Sequence, residues 1–197
     1  ARQINTINDM KNTILKSTVL LFAVTLTAFT TLDKKQVNTD QSVINWIGYK
    51  VTGQHEGTIT LREGVLEFKQ DQLTGGSFVM DMASINTIDL EGDYKNKLDG
   101  HLKANDFFGV KKYPKATLVF TSVTKNETNY SVVGDLTIKG ITNKIAFDLE
   151  VSENKATTSF KIDRTKYGIK YGSASFFDGL KDKAIYNEFD LTVSLKF

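Results

Sequence analysis

From Ser42 onward, apolar and polar positions alternate with a period of two, broken once by a period of four. Val43, Ile47, Tyr49 and Val51 fall on one face of the first segment, with Ile44, Trp46 and Lys50 on the other, which predicts a strand. Thr52-Gly53-Gln54 turns it into a second strand bearing Gly57, Ile59 and Leu61. Glu63-Gly64 reads as a tight turn into Val65 to Lys69, and Leu73-Thr74-Gly75-Gly76 as another. Phe78, Met80 and Met82 then share one face. Leu90, Tyr94, Leu98 and Leu102 recur every four residues, a helical stripe that places one inserted helix around residues 91–104. Gly92 and Gly100 weaken that helix, so packing must hold it.

After the helix come the pair Phe107-Phe108, a lysine-bearing loop around the only proline, Pro114, and a strand from Ala116 to Val123. Alternation resumes over Tyr130 to Ile138, turns at Lys139-Gly140, and continues through Ile145 to Val151 and Thr158 to Ile162. The last strand carries Ile185, Phe189, Leu191, Val193, Leu195 and Phe197 on one face. Strands at this spacing predict a mainly all-β domain, a sandwich or an up-and-down barrel, over residues 42–197. Closure removes edge strands, and about eight strands enclose room for one small ligand.

The N-terminal residues do not fit that pattern. Lys11 and Lys16 precede an apolar run, Thr18 to Phe29, of signal-peptide length. The run falls short of the ~20 apolar residues of a membrane span. Residues 1–32 are therefore expected to be upstream sequence plus a cleaved signal, and residues 33–41 a loose polar leader. The expected product is a soluble periplasmic or secreted protein. With no cysteine in the chain, neither a disulfide framework nor a thiolate metal site is available. Setting Arg2, Lys11, Lys16 and Asp9 aside leaves 22 basic and 22 acidic residues. Such balance argues against nucleic acid as a partner.

Little in the chain points to chemistry. The two histidines, His55 and His101, occur in no zinc-type spacing, so no metal is expected. Tyr171-Gly172-Ser173-Ala174-Ser175 lacks the closing glycine of a nucleophile elbow, and no phosphate-cradling glycine loop occurs. No catalytic residue and no cofactor is assigned. The apolar features carry more weight. Phe107-Phe108 either contributes one ring to the core and one as a cap, or closes a hydrophobic slot. Phe78, Met80 and Met82 offer a soft wall for a flexible apolar ligand. Lys111, Lys112 and Lys115 at one loop, and Arg164, Lys166 and Lys170 at another, could hold an anionic head group.

Three motifs occur in the order found in one family. Gly134-Asp135-Leu136-Thr137-Ile138-Lys139-Gly140-Ile141-Thr142 resembles the G-x-L-T-I-x-G-V-T segment of the YceI-like, polyisoprenoid-binding proteins. Asp106-Phe107-Phe108 with Tyr113-Pro114 resembles their D-F-F…Y-P loop, and Ile162-Asp163-Arg164 to Tyr167-Gly168-Ile169 their I-x-R-x-x-[FY]-G-I strand. Where that family opens with a histidine-serine pair, this chain has Asn45-Trp46. The resemblance implies an eight-stranded antiparallel lipocalin-like barrel, exported, with an isoprenoid or similar amphiphilic lipid threaded through it. The expected lining is Trp46, Phe78, Met80, Phe107, Phe108, Phe120, Phe160 and Phe189, and the head-group candidates are His55, Lys112, Arg164 and Lys166. Non-enzymatic binding, transport or storage is the first expectation. A structural or stress-response module with a filled core and a protein partner is the second, and a small hydrolase the third. Pairing into a homodimer is left open.

Overall fold

The computed structural model describes residues 31–197, so all but the end of the expected signal segment lies outside the described residues. The strands are β1 (Leu32–Gln36), β2 (Val43–Lys50), β3 (Gly53–Lys69), β4 (Gln72–Thr87), β5 (Lys115–Lys125), β6 (Tyr130–Ile138), β7 (Ile141–Ser152), β8 (Lys155–Asp163) and β9 (Ile185–Lys196). One α-helix, α1 (Gly92–Lys103), lies between β4 and β5. Every pairing is antiparallel, and the sheet runs β3-β2-β9-β8-β7-β6-β5-β4 before β4 returns to β3. Eight strands thus close the predicted barrel, with one inserted helix.

The alternation chose the faces. Ile44 points inward and is buried while Val43 is exposed, and on β9 the Phe189-Leu191-Val193-Leu195 row faces in. Two expected turns are strand instead. At Glu63-Gly64 the chain continues through a register shift, and β3 runs unbroken for 17 residues. Gly64 is small because Val37 and Phe78 close over it, where an added Cβ would stand 3.0 and 3.1 Å away. Likewise Gly75 and Gly76 lie inside β4, and the reversal falls at Gln70-Asp71, whose φ angles are 50° and 60°. A Cβ on Gly76 would meet the Phe120 ring at 2.9 Å, so this glycine serves aromatic packing. The Lys139-Gly140 turn forms as predicted, with both residues at positive φ.

The polar stretch read as a loose leader, with Leu32 from the end of the expected signal segment, forms β1, which pairs with the end of β3 from Leu32↔Lys69 to Gln36↔Val65. Lys34 pairs with Glu67 at 3.0 Å, and the Lys35 ammonium lies 4.8 Å from the centre of the Phe68 ring. Backbone bonding holds this segment, so no apolar alternation announced it.

The helix departs from its stripe in one half. Leu102 is buried and Leu98 half-buried, but Tyr94 is 76% exposed. A polar clamp secures the first turns instead. Lys95 Nζ donates to Asn86 Oδ1, to the Thr87 carbonyl and to Asp99 Oδ2, while the Thr87 N–H donates to Asp99 Oδ1 at 2.8 Å. Weak intrinsic propensity at Gly92 and Gly100 is offset by fastening the helix to the end of β4. There α1 and the loop after it cover one end of the barrel.

Candidate functional site

Inside the barrel the side chains form two apolar clusters. At the end opposite α1, Leu66, Phe68, Leu73, Tyr130 and Val132 are buried against one another, and Phe68 packs on Phe197 with ring centres 5.8 Å apart. Short turns close this end, at Gln70-Asp71 and around Asn126–Asn129, where the Asn126 N–H donates to the Asn129 carbonyl. At the other end Phe107, Val110, Leu102 and Ile169 gather beneath the helix and its loop.

Between the clusters lies a cavity of about 170 Å³ with walls made almost wholly of apolar side chains. That exceeds by roughly tenfold the space a single water needs, and apolar cavities of this order stay dry and accept apolar guests. Trp46, Phe78, Met80, Phe107, Phe108, Phe120, Phe160 and Phe189 are all on its wall. Their environments differ. Phe107 is a core residue, 6% exposed, with ring centres 5.2 Å from Phe108 and 5.3 Å from His101. Phe108 is half-buried and meets Phe189 edge-on at 6.5 Å. Of the two readings of the pair, Phe107 belongs to the core, and Phe108 borders the hollow. Phe160 stacks on Phe147 at 4.7 Å, and Phe120 packs against Phe78 at 5.3 Å.

Trp46 is aimed by its neighbours. Its indole lies over Gly57, the residue opposite it on β3, where an added Cβ would fall 2.4 Å from the ring. Its Nε1–H donates to the Thr58 carbonyl at 3.2 Å. Two residues further along β2, Gly48 also lines the cavity, and nothing lies within 4 Å of where its Cβ would be. The β2–β9 ladder shifts register between Gly48 and Lys50. A missing side chain and an irregular ladder therefore coincide beside Tyr49, Ile185, Tyr186 and Glu188, the residues at the mouth. Gly48 was absent from the sequence-based lining because only large apolar side chains were weighed. Its inward parity with Ile44 and Trp46 was the available signal.

The head-group candidates separate. Arg164 lines the cavity and is 2% exposed. Its Nε donates to the Tyr186 carbonyl (3.0 Å), Nη1 to Ile169 (2.8 Å) and Nη2 to Ile185 (3.0 Å). A guanidinium has five N–H donors, so two remain beyond these three bonds. Burial pushes its pKa below the usual arginine value, against the opposing pull of the Asp163 carboxylate, and arginine stays charged regardless. His55 is elsewhere. Its Nδ1 is 2.8 Å from Asp89 Oδ2, and the Glu56 N–H donates to the other oxygen of Asp89, latching β3 to the segment before α1. Desolvation acts to raise the Asp89 pKa, but hydrogen bonds from His55 and Glu56 hold it below the usual carboxylate value. Lys112 is exposed over the Tyr113 ring, and Lys166 is exposed with its carbonyl accepting from Asn143. Neither lines the cavity. Ser173, of the near-miss nucleophile motif, is buried, and its hydroxyl donates to Asn187 Oδ1 at 2.6 Å.

The YceI-like domain model matches residues 35–197, which covers the whole barrel. The chain belongs to the YceI-like family. Among solved structures, BcnA of Burkholderia cenocepacia aligns with a TM-score of 0.64 at 21% identity, over 81% of this chain and 98% of that one. A polyisoprenoid binding domain from Saccharophagus degradans aligns at 0.58 and 16% identity, over 84% and 99%. At those identities the likeness to both extends to the fold. A UPF0312 protein of Staphylococcus aureus (strain bovine RF122 / ET3-1) is 46% identical over 87 residues, which is 39% of this chain and 48% of that protein. This YceI-like chain thus spans about half the length of the curated relatives it matches.

Proposed function

We propose that this YceI-like protein binds an isoprenoid or similar long amphiphilic lipid without transforming it, and carries or stores it as an exported protein. The observation that carries the reading is the apolar cavity, which a filled structural core would not contain. The Saccharophagus neighbour described as polyisoprenoid-binding supports the ligand class. Affinity comes from burial, with roughly 40 Å² of apolar surface worth about 1 kcal/mol at ~25 cal/mol per Å². Because Leu66, Phe68 and Val132 fill the far end, the lipid enters from the Gly48 side and stops within the barrel rather than threading through it. Arg164 is the head-group residue of this proposal. Its two further N–H groups would bind a phosphate or carboxylate held near the mouth.

Organic extraction of the purified protein followed by mass spectrometry tests the ligand, with a co-purifying amphiphile expected. Gly48→Phe sharpens the test by placing a ring in the open space above Gly48. Lipid retention should fall about tenfold or more while the melting temperature holds or rises, because the ring fills a void. Undiminished lipid in that variant would show that the cavity is not where the lipid resides.

A further inference from the structure

Overall charge balance hides a strong local asymmetry. The connection between β8 and β9 carries Arg164, Lys166, Lys170, Lys181 and Lys183 against only Asp178 and Asp182. The neighbouring loop after α1 adds Lys111, Lys112 and Lys115 against Asp106. Both connections cover the same end, since Tyr171 packs on His101 at the last turn of α1 with ring centres 4.4 Å apart. Exposed lysines therefore outnumber carboxylates on the two connections at this end, while Glu188 borders the cavity itself.

The same connection exposes aromatic rings. Tyr171 is 47%, Phe176 46% and Phe177 50% exposed, and beside them Tyr186 at the start of β9 and Val51 in the β2–β3 turn are exposed to similar extents. They are held in place locally. The Phe176 and Phe177 N–H groups both donate to the Ser173 carbonyl, and Ile185 N–H donates to Gly172, drawing the connection onto β9. The Lys170 ammonium sits 4.6 Å from the centre of the Phe176 ring. Phe177, Leu180 and Val51 line an open groove that shares Tyr49, Ile185, Tyr186 and Glu188 with the cavity lining, so the groove borders the cavity. Among the described residues no helix is long and apolar enough to cross a membrane.

We infer that this end of the barrel docks on the surface of an anionic lipid bilayer, with Phe176 and Phe177 entering the interface and Lys170, Lys181 and Lys183 meeting the head groups. Exposed aromatics rimmed by lysines are the composition that sits at the water–lipid boundary. A negative membrane surface attracts each nearby lysine, and that attraction weakens with salt. The surface makes chemical sense with the lipid-binding reading, on which it rests. It brings the mouth against the phase from which the guest would be drawn.

Flotation with phosphatidylglycerol–phosphatidylcholine vesicles tests it directly. The protein should float with these vesicles about tenfold more than with phosphatidylcholine alone, and less as salt rises. The F176S/F177S variant should lose flotation, and K170E/K181E/K183E should lose the preference for the anionic vesicle. Neither set of positions lines the cavity, so loading from detergent solution with a fluorescent prenyl probe should be unchanged in both. Absence of flotation by the parent, or equal flotation by F176S/F177S, would overturn the docking surface. So would a dimer in solution that F176S/F177S breaks while vesicles stay unbound, because the patch would then be an interface between two copies. Failure of probe loading with flotation intact would instead strike the cargo reading and leave docking standing.

Discussion

Leu66 and Val132 at the far end of the barrel are sealed among their neighbours, whereas Trp46, Phe108 and Phe189 at the helix end each keep a side against open space. The two ends are built from the same sheet and similar residue types. What differs is how the strands are joined and where side chains are missing. Short turns at the far end bring strands together and let Phe68, Leu73 and Tyr130 fill the interior. At the other end two short turns, β2–β3 and β6–β7, alternate with two long connections that carry α1 and the β8–β9 segment, and Gly48 leaves a wall position empty. A barrel of this size is therefore neither hollow nor full by nature, because the side chains and missing side chains that face inward decide each end.

Substitution at the sealed end should show the largest effect on stability. Leu66→Ala removes a fully buried side chain from a well-packed cluster and should cost about 3 kcal/mol in denaturant unfolding, with lipid content per folded molecule unchanged. A loss of lipid in that variant at full folding would erase the distinction between the ends. Gly57→Ala lies between them. Its Cβ would press on the Asn86 carbonyl and the Trp46 ring, so about 1–3 kcal/mol of destabilisation should accompany a changed Trp46 fluorescence spectrum. An unaltered spectrum would mean that Gly57 does not set the indole.

Phe108→Ala should behave in the opposite sense to Leu66→Ala. A half-buried ring beside a void loses little packing, so stability should fall by about 1 kcal/mol while lipid retention drops several-fold. Replacing Phe107 together with Phe108 is the poorer experiment, since Phe107 belongs to the core.

The smallest effect concerns the clamp on α1. Desolvation acts to raise the Asp99 pKa, but bonds from Thr87 and Lys95 hold it below the usual carboxylate value. A folded-state pKa lower than the unfolded one contributes stability that is present above the unfolded value of ~3.9 and disappears as pH falls through the folded value. Asp99→Asn should therefore cost about 1 kcal/mol at neutral pH, and its gap from the parent should close in acid. A gap that stays constant into acid would show that the carboxylate charge does not fasten the helix.

Much of the barrel could be read along the chain because the outward–inward alternation of a strand is a local property. β5 to β9 follow it closely, and the aromatic positions facing in lie on the cavity. Glycines were harder to read. Gly64 and Gly76 have the signature of turns, yet each makes room for a ring from another strand, and only the partner's position distinguishes the two uses. His55 and Arg164 show the same difficulty among charged groups. One is latched by Asp89, 34 residues further on, while the other lines the cavity because carbonyls of Ile169, Ile185 and Tyr186 converge on it.

By itself, the sequence determined which residues share a strand face, the single inserted helix and the family, since these depend on neighbours within a few residues or on short motifs. The tertiary structure alone decided that β1 joins the sheet, which strand faces turn inward, that one end is packed solid, and that lysines and exposed rings share the helix end. Those outcomes depend on ladder partners and connections far apart in the chain. Charge totals and periodicity cannot encode which distant residues will share one end of a closed sheet.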